Sequence, residues 1–360
     1  MIVLIAALVL ILKIKYSGNG KFYNDNFSVA QTRALKGVFA IYVVFHHLCT
    51  YLADFFPSFY AFKHIGFLMV GGFFMISGYG LMYGVKNKPN YLKGFFSNRI
   101  LSILVPYYII NIFYLYANKI TGQLTKEYII GSLFGFNLWY VMAITILYIA
   151  FYFSFKVFGN KHGVKSISLS TLAYIVVMYI LYKFFNRYLL GFWWYNSAIC
   201  FAIGILYCNF KNKADSLLKK HYIPFLLFTV ALIVPTYCYT SLHFNDGTTS
   251  VLLAEILCSM AFSGLVLLLS IKFKIGNPVL NLCGDLSFEL YLSHALFIYA
   301  LRSNISIFGI TLNVKNNLLY FVLILAGSLV FSYVVHWISK FILKYIKKRT
   351  AKTVHFFKFL

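Results

Sequence analysis

Chemistry in this chain begins with Lys36 and His47, eleven positions apart in the run RALKGVFAIYVVFHH, residues 33–47. The run opens on basic residues and a glycine, continues apolar, and ends on two adjacent histidines, His46 and His47. An ionisable side chain at lipid depth is costly and turns toward protein or water, which makes it a functional candidate. Eleven steps of about 100° come to three turns plus about 20°, so Lys36 and His47 share a helix face. A rise of about 1.5 Å per residue separates them by about 16 Å, half of a roughly 30 Å hydrocarbon core. With Lys36 at the cytoplasmic surface, His47 reaches the midplane. His46 is turned about 100° away, so the two imidazoles cannot use that face equally.

Further candidates follow in order. GGFFMISGYGLMYG, with Ser77 and Gly78, is either a seam where helices approach closely or a thin polar patch for a ligand. Its glycine spacing is not a dinucleotide fingerprint. In SNRILSILVPYY, Arg99 is a membrane-edge anchor that, beside Lys36 and Arg33, could build a cationic mouth for a phosphate-rich ligand. FNLWYVMAIT supplies Asn137, Trp139 and Tyr140, an interfacial aromatic belt or a pocket wall. CGDLSFELYLSHALF gathers Asp285, Ser287, Glu289, Ser293 and His294 in one apolar block, and holds two of only eight carboxylates. Asp285 and Glu289 are i,i+4 and are expected on one face. They pair with Arg99 or Lys36, or else hold a histidine or a substrate. His336, beside Trp337 in the last block, is read as satisfied within the helices. Glu255 needs a partner that the sequence does not name.

The elements that carry these residues are membrane helices. Of 360 residues, 61% are hydrophobic and 11% charged; ordinary soluble domains carry about 25% charged residues. The fold class is therefore all-α, a polytopic membrane helix bundle. Ten core spans are expected at 37–53, 66–83, 100–118, 128–155, 167–184, 192–208, 222–240, 250–271, 279–300 and 318–343, after a short N-terminal helix at 1–12. Starting the first core span on the cytoplasmic side leaves 25 of the 32 Lys and Arg inside and seven outside, as the positive-inside rule requires. The same distribution argues against nucleic-acid binding, since the net charge of +24 is spread over loops. The six cysteines form no C-x-x-C pair and are read as packing residues, with no metal site. The expected divisions are 1–29, a hydrophobic segment and linker; 30–345, the transmembrane domain; and 346–360, a basic cytosolic tail suited to a membrane surface.

These residues together resemble the acyltransferase-3 family of multi-spanning membrane acyltransferases. Lys36, ten intervening residues and His47 match the family's basic-residue–histidine hallmark, with lysine where arginine is more common. FFMISGYGL, NRILSILVPYY, NLWYV and ELYLSHALF follow in the family's order, and the likeness covers about residues 30 to 345. It implies a stand-alone member, without a fused hydrolase-like domain, in a bacterial plasma membrane; the Lys and Arg distribution puts the C-terminus on the cytoplasmic side. It also implies transfer of an acyl group, commonly acetyl from acetyl-CoA, to a hydroxyl of a surface polysaccharide or lipid-linked glycan, with no tightly bound cofactor. His47 would serve as general base or transient acyl relay. Lys36, helped by Arg99 and Arg33, would hold donor phosphate. Ser77, Gly78, Asn137, Trp139, Tyr140, Glu289 and His294 would line the substrate pocket. The residue chemistry agrees: a base must take the hydroxyl proton as the oxygen attacks a thioester, and histidine suits that near neutral pH. Two other readings compete. One is a transporter or flippase for a lipid-linked or anionic cargo, since intramembrane His, Glu and Asp also suit proton coupling. The other is a non-catalytic partner in an envelope complex.

Overall fold

A computed structural model describes residues 9–184, 191–244, 246–302, 305–307 and 310–356. Helices make up 81% of the chain, and the strands among the described residues are two short antiparallel pairs. The helices are α1 (Val29–Leu52), α2 (Gly66–Asn87), α3 (Leu101–Ile120), α4 (Lys126–Phe134), α5 (Trp139–Phe184), α6 (Ile199–Asn209), α7 (Lys211–Lys220), α8 (Tyr222–Leu242), α9 (Thr249–Lys272), α10 (Pro278–Asp285), α11 (Ser287–Ala300) and α12 (Asn317–Phe356).

Among the described residues, seven helical stretches are long and apolar enough to cross a membrane: Val29–Leu52, Gly66–Asn87, Phe96–Ile120, Phe136–Phe184, Tyr222–Leu242, Thr249–Lys272 and Asn317–Lys348. The fold class is thus the expected all-α membrane protein; seven stretches meet that criterion, one of them holding two of the ten expected spans. The expected spans 128–155 and 167–184 correspond largely to the two helical arms of α5, joined at Gly159, which adopts φ 61° and ψ −170°, a conformation nearly reserved for glycine. Ser154 Oγ and Ser166 Oγ meet at 3.1 Å, so the second arm folds back on the first. Residues 126–138 do not belong to that helix. α4 ends at Gly135, whose φ of 83° makes a left-handed cap. Block 192–208 divides into a 3₁₀ turn (Phe192–Trp194) and the eleven-residue α6. Block 279–300 is interrupted at Leu286 (φ −96°, ψ 8°) between α10 and α11. The expected N-terminal helix has residues 9–11 helical, with 1–8 outside the described residues. The tail's backbone continues α12 to Phe356, and 357–360 lie outside the described residues.

The chain forms two compact units, Met1–Tyr91 with Ile149–Asp285, and Leu92–Tyr148 with Leu286–Leu360. In the first, paired glycines let backbones meet. A Cβ on Gly78 would lie 2.1 Å from the Phe201 carbonyl oxygen, and one on Gly204 would lie 2.0 Å from that of Met75, so α2 and α6 touch directly. Gly37 and Gly284 do the same for α1 and α10, against the carbonyls of Leu280 and Arg33. Such small-residue seams bring membrane helices together where burial from water supplies no drive. Phe39, Phe74, Met75 and Phe201 fill the space between. α8 turns Leu227 (64% exposed) and Phe228 (63% exposed) outward, a surface suited to lipid. In the second unit α3, α11 and α12 pack together around Phe113, Phe297 and Phe331. Tyr114 Oη donates to the Leu292 carbonyl at 2.9 Å and Tyr320 Oη to that of Ile298 at 2.8 Å.

Candidate active site

α1 is one unbroken helix, started by Ser28, whose side chain accepts a hydrogen bond from the Gln31 N–H. It carries Arg33, Lys36, His46 and His47. Lys36 is half-buried beside the Gly37 seam, and His47 is exposed. The His47 Nδ1–H donates to the Val43 carbonyl at 2.9 Å. A carbonyl can only accept, so Nδ1 carries a proton; in the neutral imidazole the lone pair then stands on Nε2, the arrangement a base requires. His46 Nδ1 bonds the Phe62 carbonyl at 3.1 Å, and its ring lies so close to Gly66 that a Cβ there would come within 2.5 Å. The two imidazoles meet edge to face, centroids 5.0 Å apart. His46 is therefore anchored beside His47 rather than duplicating it.

The first unit also settles Asp285. Its Oδ1 pairs with Arg33 Nε at 3.0 Å, a partner that the sequence reading does not name for it. Asp285 and Glu289 do not act as an i,i+4 pair on one face, because the break at Leu286 puts them in different helices and different units. Ser77 is half-buried on α2, and Gly78 is occupied by the Phe201 backbone, which makes this stretch a packing seam. Glu255 is buried and accepts from Asn196 Nδ2 at 3.1 Å. Five of the six cysteines are buried as expected; Cys238 is exposed.

Arg99, Asn137, Trp139, Tyr140, Glu289 and His294 belong to the second unit. Arg99 is half-buried in a π-helical turn, Phe96–Ile100, just before α3; such turns recur at functional sites. Asn137 Nδ2 donates to Ser132 Oγ at 2.5 Å and to the Tyr128 carbonyl at 3.1 Å, which ties α4 to the start of α5. Trp139 is half-buried, and its ring centroid lies 6.0 Å from that of the buried Tyr140, which in turn packs on Tyr291 at 5.1 Å. His294 is buried, its Nδ1 donating to the Leu290 carbonyl at 3.0 Å. Glu289 is buried and holds a histidine: its Oε1 accepts from His336 Nδ1 at 2.7 Å. Sequence reading treated His336 as merely satisfied and did not join it to Glu289. The available signal was an ionisable residue on a serine-lined face of the last span.

The sequence profile of the acyltransferase-3 family, described as an acyltransferase domain, matches residues 31–337. No curated protein and no solved structure matches the chain. The matched range takes in α1 with Lys36 and His47 and ends one residue past His336. A match of that extent on a chain of membrane-spanning helices means that the protein belongs to the acyltransferase-3 family and is a membrane acyltransferase.

Proposed function

We infer that the protein is an O-acyltransferase that moves an acyl group, acetyl in the simplest case, from acyl-CoA to a hydroxyl of a surface polysaccharide or lipid-linked glycan. The observation that carries this reading is the family match across the helix that holds Lys36 and His47. His47 Nε2 accepts the hydroxyl proton while the oxygen attacks the thioester carbonyl. The C–S bond then breaks, the ester C–O bond stands, and the thiolate takes up a proton. Lys36 meets donor phosphate as a point charge. Arg99 is a second candidate for that task, supported by its place at the start of a spanning helix. Arg33 is less suited, because Asp285 already accepts from its guanidinium.

The test compares surface glycans from cells with and without the protein, by mass spectrometry before and after mild alkaline de-esterification. An alkali-labile gain of one acyl group, present only with the protein, is the expected result. Identical glycan masses in both, with labelled cargo crossing the membrane chemically unchanged, would replace the enzyme by a transporter.

A further inference from the structure

α12 buries a line of polar residues beside apolar ones such as Ile324 and Val335, and turns apolar residues outward. Val330, Tyr333, Trp337 and Phe341 are exposed, whereas Ser328, Ser332 and Ser339 are buried and His336 is half-buried. The inward set follows spacings of four, four and three, one helix face. It meets α11 in antiparallel register: Tyr320 Oη on the Ile298 carbonyl at 2.8 Å, Ser332 Oγ on Ser293 Oγ at 3.0 Å, His336 Nδ1 on Glu289 Oε1 at 2.7 Å. From Tyr320 to Ser339 this seam covers about 28 Å at 1.5 Å per residue, close to the thickness of the hydrocarbon core. Small residues alone would only let two helices approach. Two features go beyond that. An ionisable pair sits in the seam, and the hydroxyls of Ser328 and Ser339 are buried without a hydrogen-bond partner among the described residues.

We propose that the α11–α12 seam is a proton path, with the hydrogen-bonded Glu289 and His336 as its relay, that balances acyl transfer. The proposal rests on the acyltransferase reading. Each turnover removes one proton from a hydroxyl oxygen and adds one to a thiolate sulfur. If donor and acceptor stand on opposite sides of the membrane, a proton must cross against the acyl group for the transfer to stay electroneutral. Hydroxyls and an imidazole–carboxylate pair pass a proton by exchanging hydrogen bonds, with no net oxidation and no further reactant. His294, its Nδ1 held by Leu290, and Tyr114, on the Leu292 carbonyl, are neighbouring polar groups in the same unit.

The test uses the purified full-length protein, acetyl-CoA and a hydroxyl-bearing glycan acceptor, in H2O and in D2O. His336→Asn keeps an N–H for Glu289 but cannot relay a proton. Its kcat should fall at least about tenfold, with KM for both substrates within about twofold and a larger solvent isotope effect on kcat. The double variant Ser293→Ala with Ser332→Ala guards against misfolding of the first and should show a smaller loss with the same isotope signature. Wild-type kcat and isotope effect in His336→Asn would overturn the path while leaving the enzyme reading intact. Loss in His336→Asn with no change in the serine pair would reduce His336 to a structural role and also overturn it. A wild-type protein that acylates no hydroxyl acceptor would remove the enzyme reading, and the path with it.

Discussion

An imidazole at lipid depth works as a base only when one nitrogen keeps its lone pair. In His47 the Val43 carbonyl fixes that choice by holding Nδ1–H. His46, one residue away, is fixed by Phe62 and fills the space above Gly66. Gly66→Ala should therefore displace the His46 ring rather than the helix. Turnover is expected to fall by up to about tenfold, roughly 1.4 kcal/mol of barrier, at unchanged folded yield, read by size-exclusion elution beside an acyl-transfer assay. The Arg33–Asp285 pair tests the opposite case. Its side chains are 43% and 52% exposed, and such pairs contribute about 0–1 kcal/mol. Asp285→Asn should then leave the thermal midpoint nearly unchanged, and a large drop would show that the pair is structural. That Lys36 and His47 lie on one unbroken helix was legible from their spacing and the apolar run between them. Asp285 and Glu289 were misjudged as one face because the break at Leu286 has no proline or glycine of its own to announce it.

Helix seams in the first unit depend on glycine at particular positions. Gly78 and Gly204 leave no room for a methyl group against a backbone carbonyl, whereas Gly80, two residues on, has nothing within 4 Å. Gly78→Ala and Gly204→Ala should each cost about 1–3 kcal/mol by overpacking. Gly80→Ala should be neutral or stabilising by up to about 1 kcal/mol, since alanine holds a helix better. Thermal midpoints in one detergent compare the three, and equal effects would contradict the seam. The sequence left this glycine run open between packing and ligand contact, because spacing tells which residues share a face but not what lies opposite. The Phe201 carbonyl is that missing fact.

Across the whole molecule, the apolar blocks were readable because lipid demands long hydrophobic helices. Their joints were read unevenly: the joint at Gly159 falls between the expected spans 128–155 and 167–184, whereas Leu286 interrupts a helix without a breaker. The segment before α1 was read as a plain linker, yet it is tied down. Lys272 Nζ donates to the carbonyls of Gly18 and Lys21, each at 2.9 Å, and faces the rings of Phe22, Tyr16 and Tyr222. Lys274 Nζ bonds Asp25 at 2.5 Å and holds that carboxyl below the usual carboxylate range. A depressed carboxylate stabilises the fold above its unfolded value, about 3.9, and loses that contribution as pH falls through the folded one. Hydrogen exchange over residues 13–28 should therefore separate wild type from Asp25→Asn at pH 7, and the two should converge as pH falls below the depressed folded value. The gap should be small, because the side chain is 59% exposed. A gap that persists at low pH would contradict the tether.

The central claim is that His47 takes the proton in acyl transfer. The direct measurement is the initial rate at which purified wild-type and His47→Ala proteins move labelled acetyl from acetyl-CoA to a de-esterified glycan. The account predicts a loss of at least about a hundredfold in the variant at equal folded yield. Equal rates in the two proteins would contradict it.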